Sequence, residues 1–326
     1  LKNTQIKCWI KVVRIELGVQ SVYDEPLKLI NRGHTIADNK KSIQILKDLG
    51  FKINYHMMIG LPEGQDGEYS KLNEGRISKE KDVAGLRMLF TDNNYRPDMI
   101  KIYPNMVMTK TKLYLDFKKG LFKPIETPEA AEIIAEFLPI VKPYCRVMRV
   151  QRDIPTYRTI AGVDKTNLRQ YVDIKMKEKG VRSNDIRARE IGRRKLESPL
   201  EPELIINEYE ASGGKEFFIS FEDKKQEILI GFCRLRFPGK QLRKEFTPTT
   251  AMIRELHVYG QAVNVGGEDK TSSQHQGYGK RLTAEAEKIA KENGYDKMLV
   301  ISGIGVRKYY EKMGYEHDGP YMGKKL

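Results

Sequence analysis

Short apolar runs alternate with amphipathic stretches of helical length through the first 150 residues, and this alternation restricts the fold more than any other feature of the 326-residue chain. It is the signature of βα units on a parallel sheet, because a strand buried on both faces is apolar throughout and returns through a helix. The pattern predicts strands at 10–17, 52–59, 99–103 and 145–150 and helices at 39–49, 82–90, 112–119 and 128–141, with Gly50 closing the first helix. Residues 1–150 therefore read as part of an α/β barrel, whose active face lies at the carboxyl ends of its strands, near Gln20, His56, Gly60, Tyr103 and Asn105. Between Gly64 and Asp82, Gly, Glu, Lys, Ser and Asn leave little to bury, and a mobile loop is expected.

Residues 151–202 are rich in arginine and poor in apolar runs and read as a connector. From 203 to 326 the pattern is that of a mixed α/β domain, with strands predicted at 217–221, 228–237, 251–259 and 298–301. A helix is predicted over 279–292, since Leu282, Ala286, Ile289 and Ala290 fall at i, i+4, i+7 and i+8 and form one apolar stripe. A short helix around 309–313 follows, and 315–322 closes the sheet.

Lysine and arginine number 58 against 44 aspartates and glutamates, a formal charge of +14, so polyanions are natural partners. Charge alone does not separate nucleic acid from an anionic membrane or from plain solubility. The three cysteines, Cys8, Cys145 and Cys233, lie far apart, which argues against a disulfide framework and fits a reducing cytoplasm. No apolar run approaches the ~18 residues of a membrane span, so no membrane partner is expected.

Gln274, His275, Gln276, Gly277, Tyr278 and Gly279 stand between a predicted strand and the amphipathic helix. Glycines at 277 and 279 let the backbone approach a phosphate, and a helix starting there turns free N–H groups and its positive dipole end toward an anion. Lys280 and Arg281 add charge. Neither a G-x-x-x-x-G-K-[ST] loop nor a G-x-G-x-x-G fingerprint is present, so a nucleoside triphosphate is not expected. The pattern Q-x-x-G-x-G between strand and helix is similar to the turn with which GNAT-type acetyltransferases hold the pyrophosphate of coenzyme A. An ordinary glycine turn at a helix start is the other reading.

The strand before the turn offers backbone groups that can pair with pantetheine amides as an added strand would. Glu255 and His257 are its candidate contacts. Glu255 and His257 share a face, where either serves as a base near a thioester or sits as a satisfied rim residue. Beyond the helix, Tyr309 and Tyr310 are adjacent. A phenol stays protonated at neutral pH, hydrogen-bonds sulfur and supplies a proton to a departing thiolate, and Tyr309 is the first candidate for that role. Two adjacent tyrosines on a short helix do not easily both enter the core, so one packs and one works.

Taken together, QSVYDEPLKLINRGHT, DMIKIYP, RVMRVQRDIPTYRTIAGV, RELHVYG, QHQGYG and VRKYYEKMGYEHDGPYM resemble the family of Elongator catalytic subunits over nearly the whole chain. The resemblance implies a partial (β/α) barrel of the radical S-adenosylmethionine type followed by a GNAT-type acetyltransferase domain. It implies modification of the wobble uridine of tRNA to 5-carboxymethyluridine, with acetyl-CoA as the carbon source. Implied acetyl-CoA contacts are Glu255, Leu256, His257, Val258, Tyr278, Gly279, Lys280 and Tyr309, beside Gln274 and Gly277 from the turn, with Tyr310 a second catalytic candidate. S-adenosylmethionine and a [4Fe–4S] cluster are implied cofactors, and tRNA and other Elongator-type subunits implied partners. Three features depart from the family. Its closely spaced cysteine triplet has no counterpart here and is expected upstream of Leu1, together with a family lysine that reaches the acetyl-CoA site. The stretch Ser183 to Gly192 lacks the cysteines that hold zinc in many members, so no metal is expected there. The polar stretch 64–82 departs as well.

With tRNA as substrate, Arg146, Arg149, Arg152 and Arg158 and the connector arginines are the natural phosphate contacts, since guanidinium both pairs with phosphate and stacks on an unpaired base. Solvated charge is the other reading. Two rival functions remain at this point: a protein lysine acetyltransferase of the histone type, and a non-catalytic tRNA-binding scaffold.

Overall fold

The computed structural model of the chain describes residues 12–65, 67–151, 159–194, 196–260 and 277–326. Contacts divide it into two compact units. One comprises Glu16–Ile43 and Ile53–Ala188; the other comprises Gln44–Lys52 and Arg189–Leu326, with the start of the chain up to Ile15.

In the first unit, strands Arg14–Gln20, Lys52–Ile59, Met99–Pro104 and Arg146–Arg149 lie side by side in chain order. The second and third, and the third and fourth, run parallel. Ile53, Tyr55, Met57 and Ile59, with Ile100 and Ile102, are buried, as the apolar runs require. Helices Ile36–Asp48, Lys79–Thr91 and Thr127–Phe137 intervene. The second is capped by Ser78, whose hydroxyl accepts from the Lys81 amide, and Asp82 in its first turn accepts from the Gly60 amide at 2.7 Å, which ties it to the end of a strand.

Residues 64–82 are not an open loop. Gly64–Gln65 pairs with Glu68–Tyr69, Ile77 is buried, the Tyr69 hydroxyl donates to Asp116 at 2.7 Å, and Arg76 grips both oxygens of Glu129 at 2.7 and 2.8 Å. Its order comes from side-chain partners about 50 residues downstream, which composition cannot reveal. The arginine-rich stretch after residue 158 is also folded. Helix Leu168–Glu178 buries Leu168, Val172 and Met176 and packs on Thr127–Phe137. Arg189 pairs with Glu222, Arg193 with Glu190 and Arg194 with Glu227, so these connector arginines hold internal ion pairs.

The second unit is a seven-stranded sheet in the order Glu316–Asp318, Tyr321–Lys325, Lys297–Val300, Thr250–Val258, Ile228–Phe237, Gly214–Asp223, Glu203–Ala211. Thr250–Val258 and Lys297–Val300 are parallel; the other neighbours are antiparallel. Every residue of Ile228–Phe237 is buried. Helix Tyr278–Glu292 covers one face with Leu282, Ala286, Ile289 and Ala290, each large apolar side chain contributing roughly 1.5–3 kcal/mol by burial. The opposite face carries Phe246, Met252, Leu299, Ile301 and Tyr321, joined by Phe51 from far upstream. Gly50 makes that junction possible: its φ is +92°, and a Cβ there would stand 2.4 Å from the Met252 sulfur.

Candidate functional site

Thr250 to Ile253 pair with Lys297 to Val300, and the Ile301 amide reaches the Ile253 carbonyl at 3.3 Å. There the parallel pairing ends, while the first strand continues to Val258, paired only with Ile228–Phe237 among the described residues. Among the described residues, 254–258 therefore have a neighbouring strand on one side only. On the paired edge the register slips between Arg234 and Leu235: Ile253 faces Leu235 and Glu255 faces Arg234, so Arg254 is the additional residue of a bulge. Leu256 and Val258 pack against the core beneath the helix. Glu255 is buried on the other face, between Arg234 Nε at 2.9 Å and Lys52 Nζ at 3.3 Å. Burial alone would raise its pKa, but the charges of Lys52 and Arg234 outweigh that and hold it below the usual carboxylate range. Glu255 is therefore a fixed carboxylate rather than a free base. His257 is exposed, its ring 6.0 Å from that of Phe232 and 4.3 Å from that of Tyr259.

Gly277 takes φ +74° and turns the chain into the helix that starts at Tyr278. A Cβ at Gly279 would lie 2.5 Å from the Tyr309 hydroxyl and 3.8 Å from Val258 Cγ2, so the strand end, the first helical turn and the phenol meet at one point. The Tyr278 ring is buried, 5.0 Å from Phe221, which leaves its backbone as the part that faces the turn. Lys280 is exposed. Gln274 lies outside the described residues. Tyr309 is half-buried, and burial pushes its pKa up, so its proton stays on at neutral pH. Tyr310 instead enters the core, edge-on to Tyr309 at 5.4 Å and to Tyr315 at 5.7 Å. One tyrosine packs and the other stands at the turn.

The barrel-type unit carries a second polar cluster. Glu16 Oε2 lies 2.6 Å from His56 Nε2, 2.8 Å from Lys101 Nζ and 2.9 Å from Asn54 Nδ2. Burial opposes ionisation of Glu16, yet the hydrogen bonds from Lys101 and His56 bring its pKa down to about 2. The His56 ring meets that of Tyr103 edge-on at 5.5 Å, Gln20 at the strand end takes φ +64°, and Asn105 donates to the Gly60 carbonyl at 3.3 Å. Arg146 is half-buried and Arg149 exposed on the last strand; Arg152 and Arg158 lie outside the described residues.

Sequence reasoning missed Lys52, and with it the part played by residues 44–52 in the acetyltransferase-type unit. No local signal marks them, because their partners lie about 200 residues away. Among the described residues no group of three or more His, Cys, Asp or Glu is arranged to hold a metal ion, and Cys145 and Cys233 are each buried. These residues do not fit an iron–sulfur cluster, which needs clustered thiolates. No helix among them is long and apolar enough to cross a membrane.

Comparison with known proteins finds three family matches along the chain. The radical SAM superfamily matches residues 7–72, the radical SAM C-terminal domain 97–178, and the acetyltransferase (GNAT) family 185–315. The chain is 46% identical over 320 residues to the tRNA uridine(34) acetyltransferase of Methanocaldococcus infernus, covering 96% of this chain and 58% of that protein. It is 42% identical over 320 residues to Elongator complex protein 3 of Saccharomyces cerevisiae, covering 96% and 55%. It thus spans little more than half the length of these curated relatives. The solved structure of an archaeal M. infernus Elp3 with an N-terminal deletion superposes with a TM-score of 0.88 at 45% identity, covering 97% of this chain and 73% of that one. With a radical SAM domain followed by a GNAT acetyltransferase domain, the chain belongs to the Elongator complex protein 3 family.

Proposed function

We propose that the chain provides the acetyl-CoA-binding centre and part of the RNA-binding surface of an enzyme that modifies uridine 34 of tRNA, with 5-carboxymethyluridine as the product. The observation that carries this reading is the meeting of the strand end beyond its parallel partner, the Gly277–Gly279 turn and the Tyr309 hydroxyl. Backbone groups of 254–258 would pair with the pantetheine amides, and the amides of the first helical turn would take the pyrophosphate. The Tyr309 hydroxyl would bond the thioester sulfur and give a proton to the departing thiolate. Bound acetyl-CoA supplies an activated two-carbon unit. Glu255 orients the strand, His257 lines its exposed face, and Lys280 adds charge near the phosphates. S-adenosylmethionine would be taken by the barrel-type unit, where the Glu16, His56 and Lys101 cluster on the sheet offers both signs of charge and Gln20 stands at the end of the first strand. Arg146, Arg149, Arg152 and Arg158 would contact phosphate, supported by the charge of +14.

Acetyl-CoA hydrolysis with and without tRNA tests the reading. It expects turnover that rises when tRNA is added. Equal turnover in both conditions would point to a protein acetyltransferase, and none in either to a scaffold.

A further inference from the structure

Lys52–Ile59, Met99–Pro104 and Arg146–Arg149 run parallel, so their carboxyl ends fall at one end of the barrel-type sheet and the connections that leave them start side by side. Hydrogen bonds then hold these connections together. The Asn105 amide donates to the Ile59 carbonyl at 2.9 Å, the Lys123 amide to the Glu74 carbonyl at 3.0 Å, and Val107–Met108 pairs antiparallel with Thr159–Ala161. Thr159, the residue after Arg158, faces Met108, and Lys110 follows two residues later.

Charge on this end is one-sided. From 109 to 123 the chain carries five lysines and one acidic residue, Asp116. That carboxylate is already engaged, with Lys112 Nζ at 2.6 Å and the Tyr69 hydroxyl donating at 2.7 Å. Lys123 pairs with Glu74 at 3.0 Å. Lys110 and Lys119, with Lys71 on the preceding connection, are exposed and form no ion pair among the described residues. They sit on two separate connections, so a ligand that meets all three carries several negative charges along its length.

Resting on the tRNA reading above, we infer that the connections after the second and third barrel-type strands form a surface for an RNA backbone, with Lys71, Lys110 and Lys119 as phosphate contacts that continue the arginines of the fourth strand. Each phosphate they neutralise releases condensed counterions, so the contacts act through charge and are indifferent to base sequence. They hold the RNA around the reacting base rather than touch it. Leu115 and Leu121 are exposed in the same stretch, a combination that an anionic membrane would also suit. RNA is favoured because this surface adjoins the residue after Arg158 and lies where the strands of such a unit present their ligands.

Filter binding of tRNA to the full chain over a salt series tests this, with thermal unfolding recorded for each protein. Wild type is compared with Lys71→Gln/Lys110→Gln/Lys119→Gln and with a control, Lys225→Gln/Lys244→Gln/Lys312→Gln, which removes the same charge from exposed positions of the acetyltransferase-type unit. The first variant should bind about 10- to 100-fold more weakly at low salt, and its plot of log affinity against log salt should be shallower by about two. The control should stay within about threefold of wild type, and all unfolding midpoints should agree. Wild-type affinity and slope in the first variant would overturn the inference and leave the tRNA reading standing. Equal losses in both variants would also overturn it, by showing that net charge alone matters, as would a loss that follows a lowered unfolding midpoint. Sedimentation with vesicles of phosphatidylcholine and phosphatidylserine forms the second arm: vesicle binding that the first variant loses while keeping its tRNA affinity would assign the surface to lipid and overturn the inference. A wild-type chain that fails to bind tRNA would overturn both readings.

Discussion

The two sheets leave room for a ligand in different ways. In the barrel-type sheet, Lys52–Ile59 and Met99–Pro104 stay parallel and in register through Ile59 and Pro104, so the backbone is consumed by pairing and chemistry falls to side chains on the sheet's face and at its end. In the acetyltransferase-type sheet, a parallel pair set among antiparallel neighbours ends at Ile253 and Val300, while the longer strand runs on to Val258, and it is this strand end that is proposed to meet the coenzyme. Charge follows the same division. Glu16, His56 and Lys101 are partly exposed, whereas Lys47, Asp48, Glu216 and Arg236 are buried and held by one another. Charges that remain open to water can meet a ligand; those sealed beneath a sheet hold it in place.

This contrast breaks most directly at Arg236. Arg236→Met takes the guanidinium from buried Asp48 and one of three cations from buried Glu216, and should cost about 3–5 kcal/mol in denaturant unfolding. A loss under about 1 kcal/mol would show that the network is not what holds this face. Tyr309→Phe probes the strand end instead, removing one hydroxyl while keeping the ring. Steady-state assays should show acetyl-CoA turnover reduced about 10- to 100-fold, with tRNA affinity by filter binding unchanged. Unaltered turnover would remove the phenol from the chemistry.

Two carboxylates sharpen the comparison further. Glu216 is buried, yet Arg254, Lys47 and Arg236 outweigh that burial and hold its pKa far below normal. Asp82 is equally sealed in the barrel-type unit but accepts from a backbone amide, and burial pushes its pKa up from 3.8 to about 8. Folded Asp82 keeps a proton that the unfolded chain has already lost. Its contribution to stability is therefore full below about pH 4 and declines as pH rises through about 8. Asp82→Asn should remove that decline, gaining about 1–2 kcal/mol over wild type between pH 5 and pH 8 in parallel denaturant melts. Parallel pH profiles for the two proteins would contradict it. The smallest effect is expected at Glu16, where Glu16→Gln should change unfolding stability by less than about 1 kcal/mol, because its partners are open to solvent. A larger loss would make that cluster structural.

How much of this was legible in the sequence depends on how far apart the partners lie. The strands 52–59 and 228–237 and the helix from 278 were readable because burial repeats at the spacing of the element itself, as Leu282, Ala286, Ile289 and Ala290 show. That one of Tyr309 and Tyr310 would pack was readable because adjacent residues on a short helix do not easily both face the core. Helix Leu168–Glu178 was not, although Leu168, Val172 and Met176 follow a helical stripe, because lysine and arginine dilute it. The order of 64–82 rests on Asp116 and Glu129, and the acetyltransferase-type sheet borrows residues 44–52 from the other end of the chain. Such pairings leave no periodic trace.

Equilibrium dialysis of acetyl-CoA against wild-type and Gly279→Ala chains tests the grip of this turn most directly. The wild type should saturate at one ligand per chain. In the variant a methyl group 2.5 Å from the Tyr309 hydroxyl displaces the phenol and narrows the turn, weakening binding about tenfold. Equal affinity in the two proteins, or binding by neither, would contradict the account.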